Sequence, residues 1–97
     1  SNGKSVWQIP HSLLKTQGDL AEIKCSHNIQ GHDRILWYKK SHNEEFILMG
    51  YLVSTFGSIE QTFKDKIVIT GKANEFYSFL NLTNITPESS GVYFCAA

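Results

Sequence analysis

Cys25, Trp37 and Cys95, in that order, constrain this chain more than any other feature. Cys25 ends a run in which Ala21, Ile23 and Cys25 alternate with Glu22 and Lys24, the period-two pattern of a strand with one buried and one solvated face. Trp37 continues a second such run from Ile35, and Cys95 lies just after Tyr93 near the C-terminus. Inward-facing cysteines on strands of opposed sheets can approach to disulfide distance, and a buried Trp beside them fills the space between the sheets. The Tyr93 hydroxyl can then bond back to the chain near residues 87–89 and lock that corner. Two separate buried thiols are the alternative, usual in a reducing compartment. The Trp and Tyr spacing favours a Cys25–Cys95 bridge, and with it an oxidising compartment. Closing a loop of about 70 residues stabilises a fold by roughly 4 kcal/mol in the chain-entropy model, comparable to the net stability of a small domain.

The 97 residues suffice for one domain, residues 1–97, with residues 1–4 read as a flexible leader. Nine basic and nine acidic residues cancel without forming blocks, which excludes an electrostatic case for nucleic acid or an anionic membrane. Partners are therefore recognised by shape. No apolar run approaches the length of a membrane span, and no signal-peptide pattern opens the chain, as expected of an excised ectodomain.

Period-two patterning predicts strands throughout. Residues 46–53 form a mostly apolar run, 66–70 a β-branched one, 76–84 an aromatic and aliphatic one, and 91–96 the terminal strand. Turn signals are expected at 26–33, 41–45, 57–58, 71–75 and 86–90. Leu13 and Leu14 could open an amphipathic helix, but Gly18 follows too soon; an edge strand kinked at Pro10 is expected instead. The fold class is all-β, a two-sheet sandwich.

Several stretches carry a family resemblance: Ala21 to His27, Trp37-Tyr38-Lys39-Lys40, Phe46 to Tyr51, Phe63 to Ile67, and Thr86 to Ala97. They resemble a T-cell receptor variable domain of the immunoglobulin superfamily, most similar to the beta-chain type. The resemblance implies a variable-type sandwich, here lacking the last (G) strand because the chain stops at Ala97, before a joining segment. Ser89 stands where the family usually has an acid and Lys66 where it usually has Arg, so the customary ion pair at that corner is not expected. Lys40 stands where Gln usually bridges two variable domains.

The resemblance also implies the working surfaces. Ligand contacts are expected from the loops holding His27, Asn28, Gln30, His32 and Asp33, and from Tyr51, Ser54, Thr55 and Phe56. Tyr38, Leu48 and Phe94, out of phase with buried neighbours, should form an exposed apolar patch that, with Lys40, meets a partner domain. The implied partners are a receptor alpha-chain variable domain and a peptide–histocompatibility complex, on the extracellular side of the plasma membrane. With strand G absent, the terminal strand is expected to be an open edge, inviting self-association as a homodimer.

Asn81-Leu82-Thr83 and Asn84-Ile85-Thr86 are glycosylation acceptor sequences, of which one at most is expected to be fully occupied. No catalytic residue, metal site or cofactor is expected: His11, His27, His32 and His42 lack metal-ligand spacing, and no nucleophile–base or phosphate-binding motif is present. The alternative function is a variable-type ectodomain of a non-rearranging innate or adhesion receptor that binds a protein ligand.

Overall fold

A computed structural model describes residues 11–13, 21–27, 31, 33–40, 45–83 and 85–97, with residues 11–13 and Ala21 described by backbone alone. Among them, eight strands run in chain order: β1 His11–Leu13, β2 Ala21–Ser26, β3 Arg34–Lys40, β4 Phe46–Val53, β5 Phe56–Ile59, β6 Ile67–Lys72, β7 Tyr77–Leu82 and β8 Gly91–Ala96. They form a five-stranded sheet, β1-β8-β3-β4-β5, packed on a three-stranded sheet, β2-β7-β6. Every pairing is antiparallel. No helix of the described residues is long and apolar enough to cross a membrane.

Alternation puts one set of side chains between the sheets. Ile23 and Cys25 of β2, Ile35 and Trp37 of β3, Ile67 and Ile69 of β6, Leu80 and Leu82 of β7, and Tyr93 and Cys95 of β8 are all buried. The register of β3 against β4 shifts between Trp37 and Tyr38, so that Met49 is an extra residue on β4. This bulge lets Met49 and Leu52 both face the core while Leu48 and Tyr51 lie on the outer face.

Cys25 and Cys95 form a disulfide, with S–S 1.99 Å and Cα atoms 6.3 Å apart, tying β2 of one sheet to β8 of the other. Beside it, the fully buried Trp37 donates its indole N–H to Ser78 Oγ at 3.0 Å. The Ser78 hydroxyl in turn donates to the Thr70 carbonyl, also at 3.0 Å. This polar bridge runs from β3 across to β7 and β6, and it satisfies groups that would be costly to bury alone.

Three local expectations change. Gly57 and Ser58 are not a turn; they sit inside β5, and the chain reverses at Ser54–Thr55, where Ser54 takes φ 53°. Glycine is needed there because β5, paired with β4, runs along β6 so closely that a Cβ at Gly57 would lie 2.7 Å from the Ile69 carbonyl oxygen. Residues 71 and 72 likewise continue β6, and the turn begins at Ala73. The edge of β8 is not wholly open either: β1 pairs with Gly91, Val92 and Tyr93. Strand β1 fits the edge strand expected near Leu13; Pro10 and Leu14 lie outside the described residues.

At the corner before β8, the Thr86 backbone N–H donates to Ser89 Oγ at 3.1 Å, and the Tyr93 hydroxyl donates to the Ser89 carbonyl. Burial pushes the Tyr93 pKa up to about 12, because the phenolate has lost its water. The folded pKa is thus raised above the unfolded one. Tyr93 therefore contributes fully below about pH 10, and its contribution fades as the pH rises from about 10 towards 12. The expected loss is roughly 2 kcal/mol once solvent screening is allowed for, and Tyr93→Phe should flatten it. Urea midpoints from about pH 9 to 11.5 test this; parallel profiles for the two proteins would refute it.

Next to this corner lies a cleft of about 180 Å³ lined by Lys39, Lys66, Thr86, Ser89 and Tyr93 among others. The Lys39 ammonium donates to the Glu88 carbonyl. Its pKa is lowered by burial first and by the Lys66 charge second, with Glu88 partly offsetting both. Two cations thus share a cleft in which Ser89 supplies no charge. Ser89→Asp keeps an acceptor for the Thr86 N–H and adds an anion beside both lysines. It is expected to raise stability by about 1 kcal/mol, or Tm by about 4 °C or more, with the gain shrinking in high salt. A neutral or negative Tm shift would show that the lysines are not strained by each other.

Candidate recognition site

Two surfaces collect the residues expected to act. The first is the end of the sandwich where β2 leads to β3 and β4 turns into β5. Here the Ser54 N–H donates to the Asp33 carbonyl at 2.8 Å, and the Ala73 N–H donates to the Ser54 carbonyl at 2.7 Å. Ser54 Oγ also meets Asn74 Oδ1 at 3.4 Å. Three connections are thereby laced together by backbone bonds, which makes the end a supported platform. Asp33, Thr55 and Phe56 are exposed on it, Phe56 by 69%. Asn74 joins them from the turn after β6, a residue that sequence reasoning treated only as part of a turn. Asn28, Gln30 and His32 lie outside the described residues.

Two expected ligand contacts are placed elsewhere. His27 is buried, at 3% exposure, because the inward alternation of Ile23 and Cys25 continues one step beyond β2. Its ring meets Phe76 edge-on with centroids 5.0 Å apart, and its backbone N–H donates to the Phe76 carbonyl at 3.0 Å. It supports the platform from beneath and does not present a face to a ligand. Tyr51 lies within β4, opposite Leu36 and Ser58, with the Arg34 guanidinium 5.7 Å from its ring centre. It belongs to the sheet face described next.

The second surface is the outer face of β8, β3 and β4. Register places Tyr38 opposite both Phe94 and Leu48, Leu36 opposite both Ala96 and Tyr51, and Lys40 opposite both Val92 and Phe46. Tyr38, Leu48 and Phe94 are each half-buried and share this face, as their phase against Trp37, Met49 and Cys95 requires. Sequence reasoning omitted Leu36, Val92 and above all Phe46, which is 59% exposed. The Phe46 ring packs edge-on against Phe94 at 5.2 Å between centroids, and the Lys40 ammonium lies 5.5 Å from the Phe46 ring centre. A shallow hollow of about 340 Å³ opens between Tyr38, Phe46, Phe94 and Ala96. Its signal in the sequence was the alternation of Phe46 and Leu48 with Ile47, blurred because Ile47 is itself apolar.

What such surfaces can do is bind. Among the described residues, no three His, Cys, Asp or Glu side chains converge as a metal site requires. An aromatic patch rimmed by polar groups is the composition of a protein interface.

Comparison with known proteins agrees with this geometry. The immunoglobulin V-set domain matches residues 8–97. The chain is 30% identical over 99 residues to human T cell receptor alpha variable 7, covering 99% of this chain and 82% of that one. It is 32% identical over 107 residues to human T cell receptor beta variable 16, covering 100% and 84%. It is 28% identical over 92 residues to human T cell receptor beta variable 4-3, covering 95% and 79%. These matches are with receptor domains and not with enzymes. Two antiparallel sheets, a bridged Cys25 and Cys95 around Trp37, the Tyr93 corner and these relatives converge: the chain belongs to the immunoglobulin V-set family, as a T-cell receptor variable domain.

Proposed function

We propose that this domain is the antigen-recognition half of a beta-type receptor chain. It pairs through the outer face of β8, β3 and β4 with an alpha-chain variable domain. With that partner it contacts a peptide–histocompatibility complex through the platform of Asp33, Ser54, Thr55, Phe56 and Asn74. It acts on the extracellular side of the plasma membrane, where a disulfide persists.

One observation carries the reading: the exposed Phe46 and half-exposed Phe94 sit in contact on an apolar face that the described residues leave open. Burying such a pair against a partner supplies the aromatic anchor of an interface. Lys40 at the rim replaces the amide pair with a charged donor, so a partner offering a carboxylate or carbonyl there is favoured. The relatives include alpha and beta segments at like identity, so both kinds of partner belong in the test.

Sedimentation equilibrium of the domain, alone and mixed with alpha-chain and beta-chain variable domains, decides the pairing. Association with the alpha-chain domain is expected, weakened about 30-fold by Phe94→Ser, the loss of a central aromatic anchor. Preference for a beta-chain partner reverses the chain assignment. A domain that ignores both partners belongs to the alternative class of non-rearranging receptors, and one that pairs only with itself uses this face as a homodimer interface.

A further inference from the structure

The outer face of the three-stranded sheet carries a glycosylation acceptor, Asn81, on its central strand. Register sets out its rows: Glu22, Asn81 and Val68; then Lys24, Phe79 and Thr70; then Ser26, Tyr77 and Lys72. Leu80 and Leu82 are buried in the core, which turns Tyr77, Phe79 and Asn81 outward along the central strand β7. On a face that borders water, this middle column is unusually apolar. Tyr77 and Phe79 pack edge-on with centroids 5.8 Å apart, the Lys24 ammonium lies 5.8 Å from each ring centre, and Val68 beside Asn81 is 46% exposed.

We propose that Asn81 carries an N-linked glycan whose first sugar lies on Phe79 and Val68, so that carbohydrate, and not a protein partner, covers this sheet. Three features point to it together. Asn81 heads an Asn-Leu-Thr acceptor sequence whose Thr83 follows the end of β7, its hydroxyl donating to the Lys66 carbonyl at 3.3 Å. Phe79 precedes Asn81 on the same face of β7 by one strand repeat, about 7 Å, the breadth of a pyranose ring. The apolar C–H face of such a ring can cover an aromatic ring and a valine while its hydroxyls remain in water. The second acceptor, Asn84, lies outside the described residues; its neighbour Ile85 is 1% exposed. Two glycans so close would crowd, so occupancy of Asn81 disfavours Asn84.

The transfer is balanced with one co-reactant, a lipid-pyrophosphate-linked oligosaccharide supplied along a secretory route. The Asn81 amide nitrogen attacks the anomeric carbon and forms a C1–Nδ2 bond. The C1–O bond to the pyrophosphate breaks, the lipid pyrophosphate departs, and the amide releases one proton.

The test uses the full chain secreted from mammalian cells. Amidase digestion in heavy-oxygen water should mark Asn81 in most molecules and Asn84 in few, and Asn81→Gln should remove most of the carbohydrate mass. Trimming with an endoglycosidase leaves the first sugar, whereas the amidase removes it. The amidase also leaves an aspartate at position 81, opposite Glu22, so the sugar-free reference is Asn81→Gln. The trimmed protein should keep a Tm about 4 °C above that of Asn81→Gln, and Phe79→Thr should abolish that difference. Unmodified Asn81, or label at Asn84 in its place, overturns the site. An equal Tm difference with and without Phe79 overturns the stacking, and full-size glycan that leaves this face able to bind a protein overturns the shielding.

Discussion

The double replacement Cys25→Ala and Cys95→Ala is expected to lower the unfolding free energy by about 4 kcal/mol and to leave the domain largely unfolded at about 37 °C. The bridge spans a sequence separation of 70 and is a covalent link between the two sheets. Most of its effect lies in the denatured chain, whose ends are held together before any strand forms. Both cysteines are buried in the core that also holds Trp37 and Tyr93, so the vacated sulfur volume adds a packing loss. Guanidinium unfolding of the two proteins measures the difference. A loss below about 2 kcal/mol would mean that the reduced chain is already compact, so that the crosslink removes little disorder.

The second large effect is expected from Gly71→Ala, at about 3 kcal/mol or more. Gly71 has φ 122°, a region L side chains rarely adopt. A Cβ there would lie 2.7 Å from Ser78 Cα and 2.8 Å from the Tyr77 carbonyl oxygen, both backbone atoms of β7 that cannot rotate aside. Relief requires β6 to move off β7. That movement draws the Thr70 carbonyl away from Ser78, whose hydroxyl holds the Trp37 indole. Gly71→Ala should therefore lower Tm by at least about 12 °C and also alter the near-ultraviolet circular dichroism of Trp37. A Tm loss without a change at Trp37 would show that the strain stays local to the pairing of Gly71 with Ser78.

Much of this architecture was legible because period-two alternation is a strong signal wherever polar and apolar residues take turns. Residues 46–53 and 91–96 were placed at their observed bounds, and Cys25, Trp37, Tyr93 and Cys95 at their observed positions. Gly57 was misread because glycine usually marks a turn, whereas here it permits two strands to approach. His27 does follow the end of β2, but its polarity suggested an exposed side chain, whereas the inward phase of β2 carries on through it. Ser78 went unnoticed, since a buried serine differs from a solvated one only through partners remote in sequence, Trp37 and Thr70. Asn74 was missed for the same reason, since its place beside Ser54 depends on how two turns meet.

Phe46 and Phe94 touch before any partner arrives, and Lys40 lies over the first of them. Rings that already hold one another have fewer rotamers left to lose, so association through them carries a smaller ordering cost than two free side chains would incur. The signature of that advantage is kinetic. Phe46→Ala should shorten the lifetime of a complex even where Phe46 itself contributes modest area, because it releases Phe94 to rotate, while the association rate changes little.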